Sequence, residues 1–305
     1  MFCSPYQNGS IGSHTPEDLP MRLALNTFVY EVGKVPVEKA LQSACTFGFE
    51  FIEYAAYNSG DPTLMGKAKR DEVVSIFKDN GLQCSQMLLA NTEYIASPDP
   101  AKREETLEYM KECADFQLEL GGRQVLVCWG CGVHESGMMP EEAWLNSVSA
   151  ICEYARWSLD KGILIDLELD PHVYFVVNNT VKMAKMIEDV GMPNVFPNVD
   201  IGHLCITREA PNTLEKLKSR ILHVHISETD TFEHTNSIIG TGNADFKAYI
   251  DKVLELGIEE NCRKYGEACV AGIEMGEPGG FVDDPDRWVQ ESLDYLGRIL
   301  PELKL

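Results

Sequence analysis

Basic side chains are scarce in this chain: 26 lysines and arginines stand against 48 aspartates and glutamates, for a formal net charge of −22. So acidic a surface repels phosphate backbones and offers no groove from which to release counterions, so nucleic acid is not expected as a partner. No apolar run is long enough to cross a bilayer, and no membrane association is expected. The first twenty residues lack the basic start and apolar stretch of a secretory leader, and carry Gly9, Gly12, Pro16 and Pro20 instead. They read as an extended arm, residues 1–20, ahead of a single catalytic domain over 21–305. Ten cysteines fall without short regular spacing, which excludes a disulfide scaffold and suits buried thiols in a reduced, cytoplasmic protein. Cys128 and Cys131 are separated by two residues, but a lone pair of this kind reads as packing. Also missing is a phosphate-binding glycine loop after the first β-rich run, which ends Asn26-Thr27-Phe28. A doubly wound nucleotide-binding sheet is therefore not expected.

What is present is a rhythm. Short β-rich runs alternate with longer amphipathic stretches from Met21 onward, the pattern of a parallel sheet with crossover helices. Eight such runs are predicted: Met21–Phe28, Phe49–Ala56, Leu82–Leu89, Gln124–Trp129, Ile163–Leu169, Val195–Ile201, Ile221–Ser227 and Cys269–Met275. Between them lie helical stripes such as Leu107, Met110, Ala114 and Leu118, or Val289, Leu293, Leu296 and Leu300. Glycines such as Gly48 and Gly191 follow the periodic segments, where a left-handed cap favours them. Eight units in one chain of 305 residues predict an α/β fold, a single closed (β/α)8 barrel.

Alternation along a barrel strand sends successive side chains to opposite faces. In the fifth run Ile163, Ile165 and Leu167 are apolar and face the helices, so Asp166 and Glu168 face the axis. The same parity turns Asn198 and Asp200 inward on the sixth, His223 and His225 on the seventh, and Glu274 on the eighth. Four neighbouring strands thus bring ionisable groups to the C-terminal rim, where barrel enzymes work. Crowded, buried carboxylates repel one another unless a cation neutralises them, so Glu168, Asp200, His225 and Glu274 imply one bound divalent metal. Manganese is the favoured ion, and cobalt, magnesium or zinc suit the same donors.

These residues resemble the xylose isomerase-like barrels, the sugar-phosphate isomerase/epimerase-like family that includes ketose 3-epimerases and inosose dehydratases. The likeness is carried by Leu167-Glu168, Asp200-Ile-Gly-His203, His223-Val-His225 and Ile273-Glu274. It implies that the four named residues ligate the metal, that His203 touches a substrate hydroxyl, and that Gly240–Phe246 closes the loop after the seventh strand. Further expected substrate contacts are His134, His172 and Glu53, the last with the alternative of supporting the barrel rim. His223, one layer below His225, reads as a supporting core histidine. The expected partner is a small sugar or sugar-like ketone, and the family likeness suggests a homo-oligomer, dimer or tetramer.

The chemistry follows from these positions. A ketone held on the metal is polarised, which acidifies the neighbouring C–H. Glu168 and Glu274, as an acid/base pair, would remove a proton and return one to the other face through an enediolate, which is isomerisation or epimerisation. A leaving group β to the carbanion would make the same site a lyase or dehydratase of a keto-cyclitol or 3-keto-glycoside. Two departures from ketose epimerases bear on this choice: Thr231 stands where they carry arginine, and Tyr174 where they carry a carboxylate, while Asp170 and His234 offer other polar groups. A non-catalytic sugar-binding barrel subunit is a further alternative. An apurinic endonuclease, which shares the barrel, would need several zinc ions, more histidine ligands and a basic groove; seven histidines and the charge of −22 argue against it.

Overall fold

The computed structural model describes residues 21–277 and 279–305; the expected arm over residues 1–20 lies outside the described residues. Eight strands form the centre: β1 (Arg22–Asn26), β2 (Phe51–Ala56), β3 (Gln83–Leu89), β4 (Gln124–Val127), β5 (Leu164–Leu167), β6 (Val195–Asp200), β7 (His223–Ser227) and β8 (Val270–Glu274). Every neighbouring pair is parallel, and β1 pairs with β8 to close the ring. Each strand lies inside a predicted run, shortened by at most two residues at either end.

Helices such as Lys67–Asn80, Pro100–Glu119, Pro140–Leu159 and Pro285–Ile299 return the chain between strands. Their ends are set locally. Asp284 accepts a hydrogen bond from the Arg287 N–H, with Pro285 in the first turn, while Gly48 and Gly191 take left-handed φ values of 89° and 62°. Leu107, Met110 and Ala114 are buried as their stripe predicts, whereas Leu118, in the last turn, is exposed. Between β6 and β7 a six-residue helix, Ile201–Ile206, and a 3-10 segment, Pro211–Lys216, take the place of a long crossover helix.

The main core fills the layer between ring and helices. Ile163, Ile165, Leu167, Val195, Val199, Leu222, Val224, Ile226, Ala271, Ile273 and Met275 are all buried there, each larger side chain contributing ~1.5–3 kcal/mol of transfer free energy. The opposite parity fills the barrel axis, where the occupants are polar: Asn26, Glu53, Gln86, Asp166, Asn198 and His223 are essentially inaccessible to solvent. Register decides which of them meet. Asp200 pairs with His225, and Ser227 with Glu274, so the inward carboxylates and imidazole converge at the C-terminal rim.

Candidate metal centre

Glu168, Asp200, His225 and Glu274 each offer a ligand atom within 4.8 Å of the other three, and all four residues are buried. His225 Nδ1 lies 2.8 Å from Glu274 Oε2, 3.2 Å from Glu168 Oε1 and 3.8 Å from Asp200 Oδ2. Three of these atoms, Asp200 Oδ2, His225 Nδ1 and Glu274 Oε2, have no hydrogen-bond partner although they are fully buried. Unpaired buried groups of this kind are costly. Their convergence on one point, with three oxygen donors and one imidazole, fits a divalent cation.

The other atoms of these side chains are committed, which fixes which ones face inward. Asp200 Oδ1 accepts the His203 N–H at 2.7 Å and the Ser227 hydroxyl at 2.6 Å, leaving Oδ2 for the centre. Asn198 donates its amide to Glu168 Oε1 at 3.0 Å. Gln86 donates its NH2 to Asp166 Oδ2 at 2.7 Å and turns its carbonyl oxygen to His225 Nε2, 3.0 Å away. That oxygen can only accept, so Nε2 carries a hydrogen and Nδ1 is the nitrogen turned toward the carboxylates.

The buried charges of the centre perturb one another. Burial, with Glu274 and Asp200 nearby, pushes the Glu168 carboxyl up to about 7. Burial acts to lower the pKa of His225, but Glu53, Glu274 and Glu168 outweigh it and raise it well above the ordinary histidine value. Asp166 is raised by burial. Glu53 is lowered, because His225 and His223 overcome its own desolvation.

Above the centre opens a cavity of about 210 Å³, reached by Glu168 and Glu274 and walled by Phe28, Tyr57, Trp129, Tyr174 and Phe175. One wall is held by an unusual turn. Trp129, Gly130, Cys131 and Gly132 all take positive φ, which sets the Gly130 N–H on Asp170 Oδ2 at 2.5 Å. The Trp129 indole donates to the Ala90 carbonyl. Beside Asp170 the cavity also carries a histidine pair: His203 Nδ1 donates to the Leu169 carbonyl at 2.7 Å, so its Nε2 accepts from His234 Nε2, also at 2.7 Å. Burial lowers both imidazoles to about 4, leaving them neutral. The loop bearing His234 is tied at its root by Glu228, whose carboxylate accepts N–H groups from Thr229, Gly240 and Ala244. Asp245 then caps the following helix. A larger groove, about 1180 Å³, runs between outer helices among ion-paired side chains such as Arg70 and Glu112; none of the four converging residues reaches it.

The structure brings the four predicted ligands together. Of the expected substrate contacts, His203 and His172 line the cavity, whereas His134 and Glu53 do not. His134 is held by its backbone N–H on the Tyr174 carbonyl, and loop side chains have no period from which direction can be read. Glu53 is wholly buried below the centre, bonded to His223 and Asn26, which is nearer to the supporting role than to substrate contact. His223 donates to it from the layer beneath His225. Sequence reading missed Gln86 and Ser227: on β7 the inward parity of Ser227 carried the signal, whereas on β3 the register skips Ser85, so Gln86 faces the axis although Cys84, two residues before it, packs in the outer core. Cys128 and Cys131 are buried free thiols.

A family model described as xylose isomerase-like TIM barrel matches residues 41–299. The L-ribulose 3-epimerase of Mesorhizobium japonicum is 25% identical over 247 residues, which cover 79% of this chain and 79% of that protein. Among solved structures, D-psicose 3-epimerase with D-tagatose from Clostridium cellulolyticum H10 aligns with a TM-score of 0.74 at 17% identity, over 92% of this chain and 99% of that one. IolI protein with a bound zinc atom aligns with a TM-score of 0.73 at 18% identity, over the same shares.

Proposed function

The chain belongs to the xylose isomerase-like TIM barrel family, and on that premise we propose that it is a divalent-metal-dependent epimerase or isomerase of a ketose or sugar-like ketone. The observation that carries this reading is the meeting of four buried donors, three of them without any other partner, at the floor of a cavity that two of their carboxylates enter. The printed activities of relatives, L-ribulose 3-epimerase and fructoselysine 3-epimerase, support the substrate class. Manganese is the favoured ion in this proposal, which also takes the protein as cytoplasmic and as a homodimer or homotetramer. Among the described residues no helix is long and apolar enough to cross a membrane.

A divalent ion, when bound, supplies the positive charge that polarises a ketone and stabilises the anion formed on proton loss. Glu168 and Glu274 then divide the proton traffic. They stand just past the end of β5 and at the end of β8, on different sides of the cavity floor, so one takes the proton from carbon and the other returns one to the opposite face. Asn198 steadies Glu168 through its amide. His234, held by His203 through its ring nitrogen, and His172 present polar ring edges for substrate hydroxyls, and the aromatic walls exclude water from the reacting carbon.

Lyase chemistry is the second reading, favoured by the cavity's own polar set: Tyr174 and the His203–His234 pair line it, and Thr231 stands where ketose epimerases carry arginine. A panel of ketoses, inososes and keto-glycosides, incubated with manganese-loaded protein in heavy water, tests both. Deuterium beside the carbonyl without release of water or aglycone supports the epimerase, and release supports the lyase. No exchange and no release anywhere in the panel, with Glu168→Gln and Glu274→Gln leaving ligand binding unchanged, would leave a sugar-binding subunit.

A further inference from the structure

Below the metal centre lies a carboxylate that the proposed reaction does not use. Glu53 is fully inaccessible, and three separate features hold it on the barrel axis. The β2–β3 register skips Ser85 opposite the step from Ile52 to Glu53, an irregularity of the kind that re-aims side chains, and brings Gln86 inward opposite Glu53. Asn26 Nδ2 donates to Oε2 at 3.0 Å, and His223 Nε2 to Oε1 at 2.5 Å. On β8, Gly272 supplies the space: a Cβ there would coincide with the Glu53 carboxylate.

The place so constructed is directly behind a metal ligand. Glu53 Oε2 is 3.4 Å from His225 Nε2, the nitrogen that already faces the Gln86 carbonyl oxygen at 3.0 Å. Glu53, His223 and His225 also lie close enough to suggest a cation site of their own, but the facing nitrogens carry hydrogens toward acceptors. The trio is therefore a hydrogen-bonded group. A negative charge behind the N–H of an imidazole makes its other nitrogen a better donor, and here that nitrogen is Nδ1, at the centre.

We propose that Glu53 is a positioning residue for the metal centre, which tightens ion binding by placing a buried charge behind the Nε2–H of His225. The proposal rests on the metal reading given above. It differs from a structural ion pair in what it makes measurable. Glutamine at position 53 keeps the shape and an acceptor for His223 but removes the charge, so the fold should survive while ion affinity falls.

The test is calorimetric titration of manganese into chelator-stripped full-length protein, wild type against Glu53→Gln, Glu53→Asp and Asp200→Asn, with apo Tm measured alongside. Glu53→Gln should weaken manganese binding about 10–100-fold while the apo protein still unfolds cooperatively, its Tm lowered because the glutamine NH2 faces the Asn26 NH2, and the cobalt-loaded form should show a shifted visible spectrum. Glu53→Asp, which keeps the charge but withdraws it, should fall between wild type and Glu53→Gln, and keeps the test open should the glutamine protein not fold. Manganese affinity of Glu53→Gln equal to wild type, or of Glu53→Asp no better than Glu53→Gln, overturns the proposal. If the wild type itself shows no manganese uptake that Asp200→Asn abolishes, it is the metal reading that fails.

Discussion

Replacing Asp200 by asparagine should erase the stabilisation that a metal confers without weakening the metal-free protein. The carbonyl oxygen of asparagine keeps the contacts Asp200 Oδ1 makes with His203 N–H and Ser227. What changes is Oδ2, which is buried, unpaired and aimed at the centre. An NH2 group there cannot ligate and can donate to the neighbouring carboxylates, so the apo protein should unfold at the same temperature or higher. For the wild type, free manganese at about a thousand times its Kd contributes about 4 kcal/mol by mass action. At an unfolding entropy of ~2.1 cal/mol/K per residue, 305 residues turn each kcal/mol into about 1.6 °C, a rise near 6 °C. Thermal unfolding of stripped protein across a manganese titration reads both numbers. A variant that keeps the rise, or a wild type that shows none at saturation, refutes the four-donor centre.

Other expectations follow from the same geometry. In the metal-free protein Glu168 and His225 hold protons more tightly than they do when unfolded, so that form should lose stability as pH rises. The ion displaces those protons, so manganese affinity should fall as pH drops below about 7; titrations in buffers of different ionisation enthalpy should report proton release, and none would contradict the assignment. Glu168→Gln and Glu274→Gln should each cut deuterium exchange about 10²–10⁴-fold on whichever ketone the panel identifies. An activity that survives both removes them as the acid/base pair. Gly130→Ala should cost ~1–3 kcal/mol, because Gly130 has φ 51° and a Cβ would meet Phe175 Cβ and the Val177 carbonyl, each at 2.6 Å. Unchanged denaturant unfolding would show that the turn carries no strain.

The barrel and its four donors were legible because both rest on periodicity. Apolar residues at Ile163, Ile165 and Leu167 force Asp166 and Glu168 inward, and the same logic holds on β6, β7 and β8. Glu53 faces the axis as alternation with Ile52 and Tyr54 implies, but its height and partners were harder to place, since they depend on Gln86 being turned inward by the β3 irregularity and on the missing side chain of Gly272, neither of which has a local signature. The pairing of His203 with His234 joins a short helix to a distant loop, and His134 sits on a loop where no period operates. What alternation encodes is direction relative to the axis; height along it, and the reach of loops over it, are settled by register and by long-range contacts.

The Glu228 carboxylate fastens a hoop of backbone by its base. With Thr229, Gly240 and Ala244 drawn to one pair of oxygens, the crown of that hoop, where Phe232 and His234 stand, is free to vary without loosening the barrel beneath. Mutation can therefore rewrite what the mouth of the cavity prefers while the staves and the four converging donors stay as they are, and a search for altered ligand range is best begun on that crown.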